Sequence, residues 1–206
     1  MNRSFVKTFV TFSSIATSVM LLKPSIAAAH LVTTGMGPVY DGIGHLLLTP
    51  EDLIPALAVA LYAGLRGKTP CKLALFFFPL AWLIGGFIGL LINFNPSFSL
   101  SALSFLLLGG LIAADLPLPV NIVTGIIMAV GFLHGFFNGT ALQDGPGISG
   151  LIGIMAMLFV LVAITSAIVV SLRTAWTRVA VRVAGSWIAA VGLLMLGWLI
   201  KGNGWS

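Results

Sequence analysis

The chain has 206 residues, 59% of them hydrophobic and only 7% charged, with a mean hydropathy of +1.13. A soluble domain carries about a quarter charged residues, so this chain cannot clothe a water-facing surface and its solvent is lipid. The net charge of +5 comes from scattered basic residues without a dense patch, which speaks against nucleic acid, and the single Cys71 excludes an internal disulfide or a multi-cysteine metal site.

The first element has the order of a cleavable secretory signal over residues 1–29. Arg3 and Lys7 form a positive start, Thr8 to Leu22 an apolar stretch, and Ala27-Ala28-Ala29 an A-x-A cleavage site. Cleavage there makes His30 the new N-terminus, whose amine and imidazole together could chelate a metal. An uncleaved anchor helix is the alternative.

Residues 30–206 are expected to form one transmembrane domain of six helices, an all-α polytopic bundle. The spans fall near Asp52–Leu65, Leu73–Ile92, Phe98–Ala114, Val120–Phe137, Ile148–Leu172 and Val183–Ile200. The first is short against the roughly 20 residues a crossing helix needs. Gly42–Leu48 is apolar too, but Thr49-Pro50 breaks it from the first span. Proline suits a first helical turn, so a short segment that does not cross should precede the crossing helix, with Thr49 as its cap and Asp52 as the capping acid. Cys71 falls in the following loop. Arg66, Lys68 and Lys72 lie in the first loop, and Arg173, Arg178 and Arg182 in the fifth. The loops Asn93–Ser97 and Asn138–Gly147 have no basic residue. This bias puts the first and fifth loops in the cytoplasm and both mature termini outside a bacterial inner membrane.

Polar groups at membrane depth cost free energy unless paired or hydrated, so they point to function. Asp41, His45, Glu51 and Asp52 surround the outer end of the first span. His134 and Asn138, four apart, share one face near the outer end of the fourth, and Gln143 and Asp144 follow. A set of imidazole, carboxylate and amide groups suits a divalent transition metal. The plainer alternative has His134 bonding a neighbouring helix, Asn138 and Asp52 capping their own helices, and Asp41 and Asp144 solvated in loops. Gly131, Gly135 and Gly139, and Gly85 and Gly89, form seams of the G-x-x-x-G type that permit close helix approach. If His45 and Glu51 share an ion with His134, the first and fourth spans must be neighbours there.

The stretch from Asp41-Gly42 through His45, Glu51, Asp52, Leu53 and Ile54 resembles the first-helix motif of the HupE/UreJ family, a histidine, five residues, then Asp-His-Leu-Leu. Gly131-Phe-Leu-His134-Gly135-Phe-Phe-Asn138-Gly139 resembles that family's later histidine-glycine motif. The signal ending in Ala-His and the six spans also match. The resemblance implies a nickel or cobalt permease, with the ion as cargo and no permanently bound cofactor, and with metalloenzyme-maturation proteins as partners beside the bilayer. Carried over residue by residue, His45, Glu51 and His134 would capture the ion and Asp52 and Asn138 would assist. Glu51-Asp52 stands where the family has Asp-His, and Asn138 where it has a second histidine. Two fewer imidazoles make the site harder, drifting towards manganese or magnesium.

Two other classes compete. A membrane accessory or assembly protein without a transported substrate fits the missing imidazoles and the lack of a nucleotide-binding motif. Gly147-Ile148-Ser149-Gly150 has the G-x-S-G form of rhomboid-like intramembrane serine proteases, but no histidine follows Ser149 to serve as base. A non-enzymatic permease for a divalent cation is therefore the expectation.

Overall fold

The computed structural model describes residues 33–92, 100–172 and 174–203, all within one unit, Leu31–Ser206. The expected signal, the chelating His30, the loop residues 93–97 and Arg173 lie outside the described residues.

The described residues form seven helices: α1 Pro38–Leu48, α2 Pro50–Arg66, α3 Lys68–Leu91, α4 Leu100–Ala114, α5 Val120–Ala141, α6 Gly147–Ser171 and α7 Ala175–Asn203. Four of them, α3, α5, α6 and α7, are long and apolar enough to cross a membrane, and α1 with α2 makes a fifth candidate if that bent pair is one span. The apolar α4, at 15 residues, is ~22 Å long at ~1.5 Å per residue, short of a ~30 Å hydrocarbon core.

The break between α1 and α2 follows from Pro50. A proline disfavours helical geometry in the residue before it, and Thr49 is extended, with φ −102° and ψ 95°. Pro50 then opens α2, where its missing N–H costs nothing. The two axes differ by 78°. Thr49 makes no side-chain capping bond, and Asp52 is engaged elsewhere, so the expected capping box does not form. Cys71 sits inside α3, half-buried, rather than in a loop, because helix resumes directly after Gly67. Gly67 has φ 106°, a conformation open to glycine, which lets the chain reverse between α2 and α3 without a longer connection.

Among the described helices α2 alone packs against all six others. Its small residues explain this: Ala56, Ala58, Ala60, Ala63 and Gly64 are buried and let neighbours approach on every side. The tightest pairing is α3 with α5. A Cβ at Gly135 would meet the carbonyl of Trp82, and one at Gly139 that of Gly86. From the other side, a Cβ at Gly85 or Gly89 would meet the carbonyl of Phe132 or Phe136. The two glycine seams thus interlock with each other, and do not press α5 against the first span. Large apolar side chains such as Phe76, Ile84, Leu91 and Trp198 stay exposed, as lipid contact allows. Trp82, Tyr62 and Phe78 fill the centre.

Candidate cation site

The bend at Thr49 has a local consequence. His45 is in the last turn of α1 and Asp52 in the first turn of α2. A straight helix would carry these residues along a common axis. The bend folds them together, with His45 Nε2 3.9 Å from Asp52 Oδ2. The other carboxylate oxygen, Oδ1, lies 3.0 Å from His134 Nδ1 on α5. One buried carboxylate therefore stands between two imidazoles from separate helices.

His134 is 2% exposed and Asp52 7%. A carboxylate this deep in an apolar bundle needs a partner, because solvation by water is denied to it. His134 is held on every side. Its Nε2 lies 3.0 Å from Ser104 Oγ on α4, its ring stacks on Trp82 of α3 at 5.5 Å, and its backbone carbonyl accepts from Asn138 Nδ2 at 3.2 Å. The α3–α5 seam supplies the close approach that places Trp82 against the ring. Five helices, α1 to α5, thus converge on His134 and Asp52.

The expected site residues divide. His45, Asp52 and His134 come together, and Asn138 adjoins them through the His134 backbone. Glu51 is exposed, because one residue turns about 100° round a helix and Asp52 takes the inward position. Asp41 is in the first turn of α1 and not in a loop; its Oδ1 accepts from the backbone N–H and the hydroxyl of Thr34. Gln143 donates to the carbonyls of Gly89, Leu90 and Ile92, closing the end of α3. Asp144 is exposed.

Ser104 and Trp82 did not emerge from the sequence. Ser104 carried a signal, a hydroxyl within an apolar stretch. Trp82 carried none, since a mid-span aromatic reads as ordinary core. Asn138 Oδ1 and Trp82 Nε1 are buried without a hydrogen-bond partner among the described residues. These two orphans leave an acceptor and a donor beside the imidazole, each costing about 1–3 kcal/mol while unmet.

Among the described residues no group of three or more histidine, cysteine, aspartate or glutamate side chains is spaced to hold a metal ion as it stands. The carboxylate is instead the middle link of a chain from His45 to His134. Its donor types, two imidazole nitrogens and a carboxylate, are those a borderline divalent cation takes. Ser149 is exposed near the start of α6, while both His134 ring nitrogens face Asp52 and Ser104. That arrangement does not supply Ser149 with a base.

A family model described as HupE / UreJ protein matches residues 18–195. No curated protein and no solved structure matches the chain.

Proposed function

The chain belongs to the HupE/UreJ family, and from that premise we propose that it lets a divalent transition-metal cation, nickel or cobalt, pass into the cell. The observation that carries this reading is Asp52 held between His45 and His134 inside a lipid-facing bundle. Asp52 is the central acid in this account and Glu51 an outer one that attracts the cation to the mouth. The cation would part Asp52 from His134, with the Asn138 side-chain Oδ1, which has no hydrogen-bond partner among the described residues, as a further donor. The protein would sit in a bacterial inner membrane as six spans after removal of residues 1–29, with its mature N-terminus periplasmic. In this reading it is not an enzyme and keeps no permanent cofactor.

One observation favours the second reading, an accessory protein that moves nothing. Asp52 and His134 already satisfy each other, and a buried pair of this kind can serve to fix helix positions. Uptake of nickel, cobalt, manganese and zinc into liposomes holding the purified protein separates the two. Selective uptake above protein-free liposomes is expected. Equal rates with and without protein for every ion would leave the accessory reading. Metal-dependent growth of a deletion strain separates the same two readings in the cell.

A further inference from the structure

We infer that the groove between α3 and α6, with Lys68 and Lys72 at its mouth, binds one anionic phospholipid of the cytoplasmic leaflet. An acyl chain lies in the groove and the phosphate meets the two lysines. This binding is separate from the cation reading and stands whether or not a cation crosses.

The two helices run antiparallel. Phe76 meets Phe159 with ring centroids 5.9 Å apart, and further along α3 a Cβ at Gly86 would press on Leu151. Between them lies a groove of about 450 Å³. That volume is within the range of clefts that take small molecules. Every side chain lining it is apolar. Phe76, Leu80 and Phe159 in that lining are exposed, so the groove opens onto the lipid-facing surface. The small side chain of Ala156, also in the lining, leaves room there.

The charge sits where a headgroup needs it. Lys68, Lys72, Leu75, Phe76 and Pro79 follow one another at i, i+4, i+7, i+8 and i+11, so they share one face of α3. Lys68 and Lys72 are exposed, and neither has a hydrogen-bond or ion-pair partner among the described residues. They stand just after the α2–α3 junction, the end that the basic-residue bias assigns to the cytoplasm. Along the axis Leu75 lies ~4.5 Å beyond Lys72 and Leu80 ~12 Å beyond it, at ~1.5 Å per residue. Half of a ~30 Å hydrocarbon core is ~15 Å, so the groove fits within one leaflet. Flexible lysine stems reach back to the headgroup level. Basic residues beside a cleft between helices on the cytoplasmic side suit an anionic headgroup.

A second copy of the chain is the rival occupant. A symmetric pair about an axis along the membrane normal would bring the lysines of both copies together at the same end of the groove. Like charges repel there, whereas a phosphate neutralises them.

The test uses the full-length protein in a neutral detergent, with phosphatidylglycerol and phosphatidylcholine of identical acyl chains added in equal amounts. Native mass spectrometry counts the lipid retained. The wild type should keep phosphatidylglycerol in preference. Lys68→Gln combined with Lys72→Gln should weaken its retention by about fivefold per lysine and remove the preference. Lys201→Gln, in the last turn of α7, should leave the preference intact. Ala156→Phe fills the groove from an exposed position and should lower retention of both lipids, and Ala156→Leu should lower it less. Equal retention of the two lipids by the wild type would overturn the inference. So would a double lysine variant that keeps the preference, a Lys201→Gln protein that loses it, or a folded Ala156→Phe protein with unchanged retention. Wild-type dimers that Ala156→Phe splits would give the groove to a second copy and overturn it equally. The lysine variants alter only exposed side chains, so they decide the question even where a filled groove prevents folding.

Discussion

Asp52 and Glu51 are adjacent in sequence but differ in burial, and the difference predicts unequal consequences. Asp52→Asn removes the charge between the two imidazoles while nearly preserving volume. Nickel uptake into liposomes should fall at least about tenfold, as expected when a charged metal ligand is lost. Glu51→Gln, at an exposed position, should lower the rate by less than about threefold, mainly at low ionic strength, because screening removes the pull of a surface charge. Equal loss in both variants would return Glu51 to the centre of the site. His134 shows what a residue type can disclose: an imidazole in an apolar span marks a place to look. The sequence grouped Asp52 with it as an assisting ligand, but not as the acid that bonds its ring from 82 positions away, and Ser104, 30 positions away, was not read at all.

The helices are joined by two kinds of contact, and each can be tested at the scale of an element. The first is the interlocked seam of α3 and α5. Gly135→Leu would drive a side chain into the Trp82 carbonyl, and the backbones would have to part. Loss of folded protein on detergent extraction is expected. Gly125→Ala, on the same helix but with nothing within 4 Å of the added carbon, should be neutral or gain up to ~1 kcal/mol. A folded, seam-intact Gly135→Leu protein would refute the close approach.

The second contact lies at the far end of α2 from Asp52. The Asp115 carboxylate, just beyond α4, pairs with Arg66 of α2 and, at 3.1 Å, with Arg178 of α7. Tyr62 donates to the Leu116 carbonyl and Arg182 to that of Ala113, both at 2.9 Å. Asp115 has φ 51° and is the one non-glycine residue with positive φ among those described. It occupies the left-handed position that commonly ends a helix, where glycine is the usual choice. Aspartate tolerates that conformation and adds the charge the arginines need. The Arg66 side chain is 9% exposed, that of Arg178 49%. Asp115→Asn strands the buried Arg66 and should cost about 3–5 kcal/mol. Arg178→Gln loses an exposed pair worth about 0–1 kcal/mol. Thermal unfolding in detergent should rank the two variants in that order; the reverse order would show that Arg66 draws its support from elsewhere.

For the whole molecule, the charge distribution predicts orientation. A reporter fused at Gly67 should read cytoplasmic and one at Pro146 periplasmic. The structure sets these two positions at the α2–α3 junction and just before α6. The opposite pattern at both would invert the sidedness of the proposed site. Intact-mass measurement of membrane-extracted protein should show a chain that begins at His30. A mass that retains residues 1–29 would replace the signal with an uncleaved helix.

The sequence by itself determined that the chain is helical and lipid-solvated, because 59% hydrophobic residues in long runs leave no other way to satisfy the backbone. It also placed the break at Thr49-Pro50, since proline acts through local sterics. Its family could be read from motifs near His45 and His134. Which acid faces inward was beyond it. Glu51 and Asp52 are chemically alike, and only the 78° bend and the rotation of α2 decide between them. Ser104 and Trp82 join the site for a similar reason. Nothing local ties α4 or α3 to His134, and their approach depends on small residues and glycines that let whole helices close on one another. Tertiary packing alone made five helices meet at one imidazole.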